Sequence, residues 1–325
     1  MISKIINKIL TYTQFLIAKQ PRIDYNINSN KEVLRGPVYF SFSKDIITYA
    51  VRNPEKIIEL KSNLDIKSIE IVNNIFERFQ YIYTHNVLER NKIISFKEMR
   101  KYLKYQKSIN ESLKSSNFYL KDYEIGIFYY KHGLKYIPEE VILNLNDKDF
   151  IDGGAYIGDS ALMFEKYYKP KKIYSFEPNI NNYNILKKTI KENNLKKVIP
   201  IFEALGHSQS YFKLKDLGHA SYISEKGTLE IKVNTIDNFT SEKILNVGLI
   251  KLDIEGFELE ALKGAKNTIK EKKPILLISI YHNADGFFGV KNYIEELKCG
   301  YKIIIRKLAP LKPFFDTNLI AWVEK

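Results

Sequence analysis

Phe150-Ile151-Asp152-Gly153-Gly154-Ala155-Tyr156-Ile157-Gly158-Asp159-Ser160 runs from a short β-rich segment into a glycine-rich turn and on toward a helix. Glycine tolerates positive φ and lets a ligand approach the backbone closely. Asp159 or Ser160 is placed to cap the helix that follows. The spacing D-G-G-x-x-x-G is not the G-x-G-x-x-G of dinucleotide binders. An acid at the strand end also suits a ligand bearing an ammonium group better than one bearing a pyrophosphate.

Further along, Tyr174-Ser175-Phe176-Glu177-Pro178-Asn179 ends a second strand in Glu177, 25 residues after Asp152. A carboxylate there can accept both hydroxyls of an adenosine ribose, and Pro178 suits the first turn of the next helix. In Phe202-Glu203-Ala204-Leu205, Glu203 stands where a side chain could hold an adenine amino group. The longest motif runs Leu249-Ile250-Lys251-Leu252-Asp253-Ile254-Glu255-Gly256-Phe257-Glu258-Leu259-Glu260-Ala261-Leu262-Lys263-Gly264-Ala265. Here a buried strand ends in two carboxylates, Asp253 and Glu255. Such a pair at the edge of a central strand is costly unless used or paired.

Around these motifs, β-rich runs alternate with helical ones, the signature of a parallel α/β sheet. Strands are predicted at 150–152, 172–176, 198–202, 247–253, 275–281, 301–306 and 318–323, and helices at 159–167, 180–193, 258–270 and 290–297. An excursion at 206–240 carries its own extended segments near 211–214 and 229–233. The fold class is therefore α/β, a doubly wound, mostly parallel sheet of seven strands that binds ligands beyond the carboxyl ends of its strands. Before it, residues 1 to about 145 read as mainly helical, with amphipathic stretches at 57–60, 66–79 and 96–105 and no ligand motif in the first 120. The division expected is a helical region at 1–122 that shapes the acceptor side or mediates assembly, followed by a ligand-binding domain at 123–325.

Met1 to Gln20 intersperses Ile, Leu and Phe with Lys4, Lys8 and Lys19. It lacks the apolar core and small-residue cleavage site of a signal peptide and reads as packing on its own protein. No stretch of the chain reaches the roughly 18 apolar residues of a membrane span. The single cysteine, Cys299, forms no intramolecular disulfide and no cysteine-based zinc site, which fits a reducing, cytoplasmic setting. The net charge of +13 divides almost evenly, +7 over 1–150 and +6 over 151–325, and only seven residues are arginine. Without a basic, aromatic-interleaved stripe, this is compositional bias rather than a nucleic-acid footprint.

Taken together, the D-G-G-x-x-x-G turn, the F-E-P and the K-x-D-x-E-G-x-E-x-x-x-L-x-G-A run resemble the FkbM family of S-adenosylmethionine-dependent methyltransferases. The resemblance covers roughly 123–325, including the lead-in Phe128-Tyr129-Tyr130-Lys131-His132-Gly133-Leu134. It implies a Rossmann-like methyltransferase sheet and S-adenosyl-L-methionine as cofactor. Asp152, Gly153, Gly154 and Gly158 would wrap the methionine end, with Asp159 and Ser160 beside them. Glu177 with Pro178 would serve the ribose, Glu203 and Ala204 the adenine, and Asp253 would belong both to the cofactor set and, with Glu255 and His282, to the catalytic one. Family members mostly methylate hydroxyl oxygens of sugars and other small metabolites.

Methyl transfer from a sulfonium is an in-line displacement that gains much from positioning, and an alcohol acceptor also needs a base. His282, ending the strand beside Asp253 and Glu255, is the candidate because its ordinary pKa lies near neutrality. Asp253, Glu255 and His282 are also a plausible divalent-ion set, but the spacing is no dedicated metal signature and no metal is assigned. His132 and His219 are expected nearer the site than His85 or His207. Walls for the acceptor are expected from 206–240, with Gly218-His219-Ala220-Ser221, and from 282–289, with Asn283, Asp285, Phe287 and Phe288. The partner expected is a small-molecule or glycan acceptor, not nucleic acid, with a homo-oligomer as an assembly option. A dehydrogenase should show G-x-G-x-x-G. A nucleic-acid methyltransferase should show a base-stacking N/D-P-P-Y-like turn. A scaffold that has lost catalysis should lack Asp152, Gly154 or Glu177. A protein methyltransferase is the remaining alternative.

Overall fold

A computed structural model describes residues 41–84, 93–113, 116, 118–120, 123–215, 222–223, 229–312 and 314–324. The first twenty residues, His85 and residues 218–221 with His219 lie outside these. The described chain opens with helices α1 (Ser41–Arg52), α2 (Glu55–Lys61), α3 (Ile66–Thr84) and α4 (Phe96–Leu113). Then come α5 (Ile125–Phe128), a 3-10 segment (Lys131–Tyr136) and α6 (Glu139–Leu143). The α/β alternation follows as β1 (Asp149–Gly153), α7 (Asp159–Tyr167), β2 (Ile173–Phe176), α8 (Ile180–Glu192) and β3 (Val198–Ile201). The excursion holds β4 (Ala204–Leu205), β5 (Ser210–Lys215), β6 (Tyr222–Ile223) and β7 (Leu229–Asn234), and α9 (Ile236–Glu242) closes it. The chain ends with β8 (Val247–Leu252), α10 (Glu258–Lys263), α11 (Lys266–Lys272), β9 (Ile275–Ser279), a π turn (Asp285–Gly289), α12 (Val290–Glu296), β10 (Tyr301–Lys307) and β11 (Thr317–Val323).

Seven strands form one sheet in the order β10-β11-β9-β8-β1-β2-β3. The sheet is mixed, because β11 runs antiparallel to both β9 and β10. The link from β10 to β11 is too short for a crossover helix, so β11 turns straight back into the gap beside β9. Strands β1 and β9 are buried along their whole length, and β9 accordingly reads as an apolar run without alternation. Side chains then sort by pleat. Ile151, Ile250, Leu276 and Ile278 join one apolar cluster, while Phe150, Leu249, Ile275 and Leu277 join the other.

The amino-terminal helices contribute to both clusters. Ile46, Leu60, Val72, Ile75 and Phe79 pack on the first face, and Ile109, Leu113, Phe128 and Leu134 on the second. A polar clamp locks α3 to β10. Arg306 donates to Asp65 and Ser68, and the backbone N–H of Ile305 donates to Ser68 Oγ at 2.8 Å. The Arg306 guanidinium holds the Asp65 carboxyl well below its usual range.

One local expectation needs correction. The helix predicted over 258–270 breaks into α10 and α11 at Gly264, where a Cβ would collide with the carbonyl oxygen of Gly206. Asp237, from a distant part of the chain, starts the second helix by accepting the N–H groups of Asn267 and Thr268 at 2.9 and 2.7 Å. The extended segments of the excursion also form a sheet of their own, ordered β4-β7-β5-β6.

Candidate active site at the switch point

The strand order reverses between β1 and β8, and ligands of doubly wound sheets bind at that crevice. The turn after β1 fills it. Phe176, at the end of β2, accepts the N–H groups of Gly154 and Ala155 at 3.0 and 2.9 Å. Gly154 has φ +74°, and a Cβ there would collide with the carbonyl oxygen of Asp253. Gly158 has φ +87°, and its Cβ would come within 2.8 Å of Leu186 on α8. Both glycines are thus required by close approach of the protein to itself. Gly153, the last residue of β1, packs under Leu252 and Leu205.

Asp159 and Ser160 do not occupy the cap position expected of them. Gly158, in the left-handed region, is the residue before α7, and Asp159 is its first residue. The carboxylate of Asp159 still accepts the Ser160 N–H at 2.8 Å. Burial pushes the Asp159 carboxyl up to about 6, against the pull of Lys251 and of that N–H. The Ser160 hydroxyl meets Nε2 of His132 at 2.8 Å. Burial, with the Lys251 charge, drives the His132 ring down to about 3, so it stays neutral.

Glu177 is 6% exposed and holds the turn in place. Its two oxygens accept the N–H groups of Tyr156 and Asn179 at 2.8 and 2.9 Å. Burial nevertheless raises its pKa, outweighing those N–H groups. Pro178 lies outside the first turn of α8, because Asn179 is the cap residue and accepts from the N–H groups of Asn181 and Asn182. Glu203 accepts from Lys232 Nζ at 2.7 Å and from Asn234 Nδ2 at 3.0 Å, and Ala204 pairs with Val233.

Two side chains central to the site had no role in the sequence reading. The first is Lys251, 3% exposed in the middle of β8. It donates to the carbonyl oxygens of Gly153 and Gly154 at 3.2 and 2.7 Å and pairs with Asp152 Oδ1 at 3.2 Å. Asp152 is fully buried and also accepts from Ser175 Oγ at 3.2 Å. Burial opposes the Lys251 charge, but Asp152, Asp253 and Asp159 outweigh it and raise the pKa. The readable signal was a lysine inside the apolar run Leu249–Leu252.

The second is Glu258. It is 1% exposed, and its Oε1 accepts the Ile254 N–H at 2.8 Å and lies 2.8 Å from Nδ1 of His282. Nε2 of the same ring lies 3.5 Å from Asp253 Oδ1 and 3.7 Å from Glu255 Oε2. Tyr281 donates its hydroxyl to Asp253 at 3.3 Å. Burial alone would lower the His282 pKa; the bond to Glu258 and the charges of Glu258, Asp253 and Glu255 instead push it up to about 9. Burial likewise works against charge on Asp253, but His282 and Lys251 outweigh it and hold that carboxyl below its usual range. The near-neutral imidazole expected from sequence is therefore an imidazolium here.

Asn283 ties the two loops together by donating to the Gly256 carbonyl at 2.8 Å and accepting the Gly286 N–H at 2.7 Å. Asp45 of α1 accepts the Ala284 N–H at 2.8 Å. Phe287 and Phe288 do not form an open wall. They are buried against Phe76 of α3, and Phe288 also meets Tyr49 of α1. His207 sits on the surface, paired with Glu260 at 3.7 Å.

Comparison with known families matches residues 152–303 to the Methyltransferase FkbM domain. This stretch is an FkbM methyltransferase domain. It contains the glycine turn after Asp152, Glu177, Glu203 and the whole Asp253–His282 cluster. A crystal structure of methyltransferase FkbM from Methylobacillus flagellatus KT matches with a TM-score of 0.60 at 22% identity, over 86% of this chain and 61% of that one. The chain thus spans less than two thirds of that protein, and at this identity the likeness shows the fold. A precorrin-6y C5,15-methyltransferase from Geobacter metallireducens GS-15 matches at 12% identity and TM-score 0.37, over 57% of this chain and 86% of that one. M. jannaschii TYW2 in complex with AdoMet matches at 20% and 0.33, over 62% and 76%. No curated protein matches the sequence. Among the described residues, no helix is long and apolar enough to cross a membrane.

Proposed function

We propose that the protein transfers a methyl group from S-adenosylmethionine to a hydroxyl oxygen of a sugar, glycan or other small metabolite. The observation that carries the cofactor half is a pair of buried carboxylates beside the glycine turn. Asp159 and Glu177 both have pKa values raised by burial, so neither has a full counter-charge within the protein. A ligand with an ammonium group and a ribose diol supplies what they lack. Each Glu177 oxygen keeps a second lone pair beyond its backbone N–H, so the ribose reading and the loop-holding role are compatible. Glu203 and Ala204 border the adenine side in this reading, and the Asp152–Lys251 pair shapes the turn from below. The cofactor contributes an electrophilic methyl group.

On the acceptor side, Glu258 fixes the His282 ring beyond the end of β9, and the ring orients Asp253 and Glu255 beyond the end of β8. A carboxylate of this group takes the hydroxyl's proton. The setting is acidic, since Asp316 lies close enough to feel the charge of Asp253. Residues 1–122 shape this side through Asp45, which holds the loop after His282.

Titration calorimetry tests the cofactor half. S-adenosylmethionine should bind where NAD does not, and Glu177→Ala should weaken it by about 1–3 kcal/mol. Unchanged affinity in a folded variant defeats the ribose assignment. Asp159 adds a pH signature. With its folded pKa near 6, affinity for the cationic cofactor should rise from about pH 5 to pH 7 and then level off, because the carboxylate must ionise to attract it. Stability of the free protein should run the other way, falling as pH rises through about 4 to 6, since the folded state binds the Asp159 proton more tightly than the unfolded chain. Asp159→Asn should flatten both curves; an unchanged pH dependence of cofactor affinity in that variant rejects the assignment.

A further inference from the structure

We propose that Asp253, Glu255 and His282 form a binding site for a divalent metal ion, with Glu258 orienting the imidazole. Nε2 of His282 is 3.5 Å from Asp253 Oδ1 and 3.7 Å from Glu255 Oε2. Ligand atoms bound at about 2.1 Å to one cation lie roughly 3–3.5 Å apart. Each of the two carboxylate oxygens therefore stands close to that spacing from the ring nitrogen.

The ring is also placed for this role, in which the ion displaces the proton that Nε2 holds in the free protein. Its other nitrogen lies 2.8 Å from Glu258 Oε1, the carboxylate–histidine arrangement that fixes the tautomer and direction of a ligating imidazole. Glu258 is 1% exposed and anchored by the N–H groups of Ile254 and Gly256. Its second oxygen is buried with no hydrogen-bond partner. Asp253, Glu258 and His282 each offer a ligand atom within 4.8 Å of the others. The cluster thus gathers three carboxylates around one imidazole.

Glu255 supplies an independent sign. Its φ of +57° lies in the left-handed region, which costs energy for a residue other than glycine and marks functional turns. Its side chain is 76% exposed, yet it reaches the buried ring. One nitrogen with carboxylate oxygens suits ions from Mn²⁺ to Zn²⁺. That such an ion would hold the acceptor oxygen is the one point that rests on the methyl-transfer reading.

Mn²⁺ alone, added to the full-length protein without cofactor or acceptor, tests the site through loss of the free ion's electron paramagnetic resonance signal. One equivalent should bind. Asp253→Asn and His282→Ala should abolish that binding, Glu258→Gln should weaken it about 10–100-fold, and His207→Ala should leave it unchanged. If the buried variants do not fold, Glu255→Gln, at an exposed side chain, gives the same readout. Absence of binding by both Mn²⁺ and Zn²⁺, or binding indifferent to these ligand substitutions, overturns the proposal. Because no cofactor is present, that failure is distinct from failure of the methyl-transfer reading.

Discussion

His282→Ala should lower turnover by about 10²–10⁴-fold, because the carboxylate that takes the hydroxyl's proton loses the ring that positions it, with affinity for S-adenosylmethionine barely changed. The imidazole meets Glu258 on one side and Asp253 and Glu255 on the other. These are the acceptor-side carboxylates, so its loss should act mainly on that side. Glu258→Gln should reproduce part of the loss, since a neutral amide holds Nδ1 less firmly than a carboxylate. The measurement is S-adenosylhomocysteine release across a panel of nucleotide sugars and glycans, with cofactor binding followed in parallel. Near-wild-type turnover of the alanine variant on its true acceptor would leave positioning as the whole of the mechanism.

Lys251→Met should cost about 3–5 kcal/mol of stability, because it leaves a buried carboxylate without its partner. Asp152 is fully buried, and its remaining hydrogen bond comes from Ser175. The same substitution removes two donors from the carbonyl oxygens of the glycine turn, so cofactor affinity should fall with stability. Adding Asp152→Asn should recover much of the loss, since the unpaired charge goes with it. Urea unfolding of the single and double variants reads this directly. A double variant no more stable than the single one would show that the ion pair is not what holds the turn.

Much of the site could be read before any fold was known. Asp152, Glu177, Glu203 and Asp253 each stand where an apolar run stops, and a polar residue at that boundary of a parallel strand is placed at the ligand edge by geometry alone. Gly154 and Gly158 were legible as turn residues, although the reason for each is contact with Asp253 and Leu186. Lys251 and Glu258 were not legible as site residues. Both lie within the quoted motif, but a charged residue in a sequence does not name its partner. Asp152 and Lys251 are 99 positions apart, and Glu258 and His282 are joined only because β8 and β9 are neighbours.

The strands, helix periodicities and turn residues are local properties of the chain, set by side chains a few positions apart, and they determined the α/β class and each of the seven strands to within about two residues. Tertiary structure decided what depends on distant groups meeting. It divided the amino-terminal helices between the two faces of the sheet and buried Phe287 and Phe288 against α3. It also broke the helix at Gly264 through the approach of Gly206 and Asp237. His282 shows the difference most clearly. Its sequence position offers an imidazole that titrates near neutrality, whereas three carboxylates gathered at the junction of β8 and α10 hold a proton on it up to about 9, because a pKa belongs to the charges around a group and those are set by the fold.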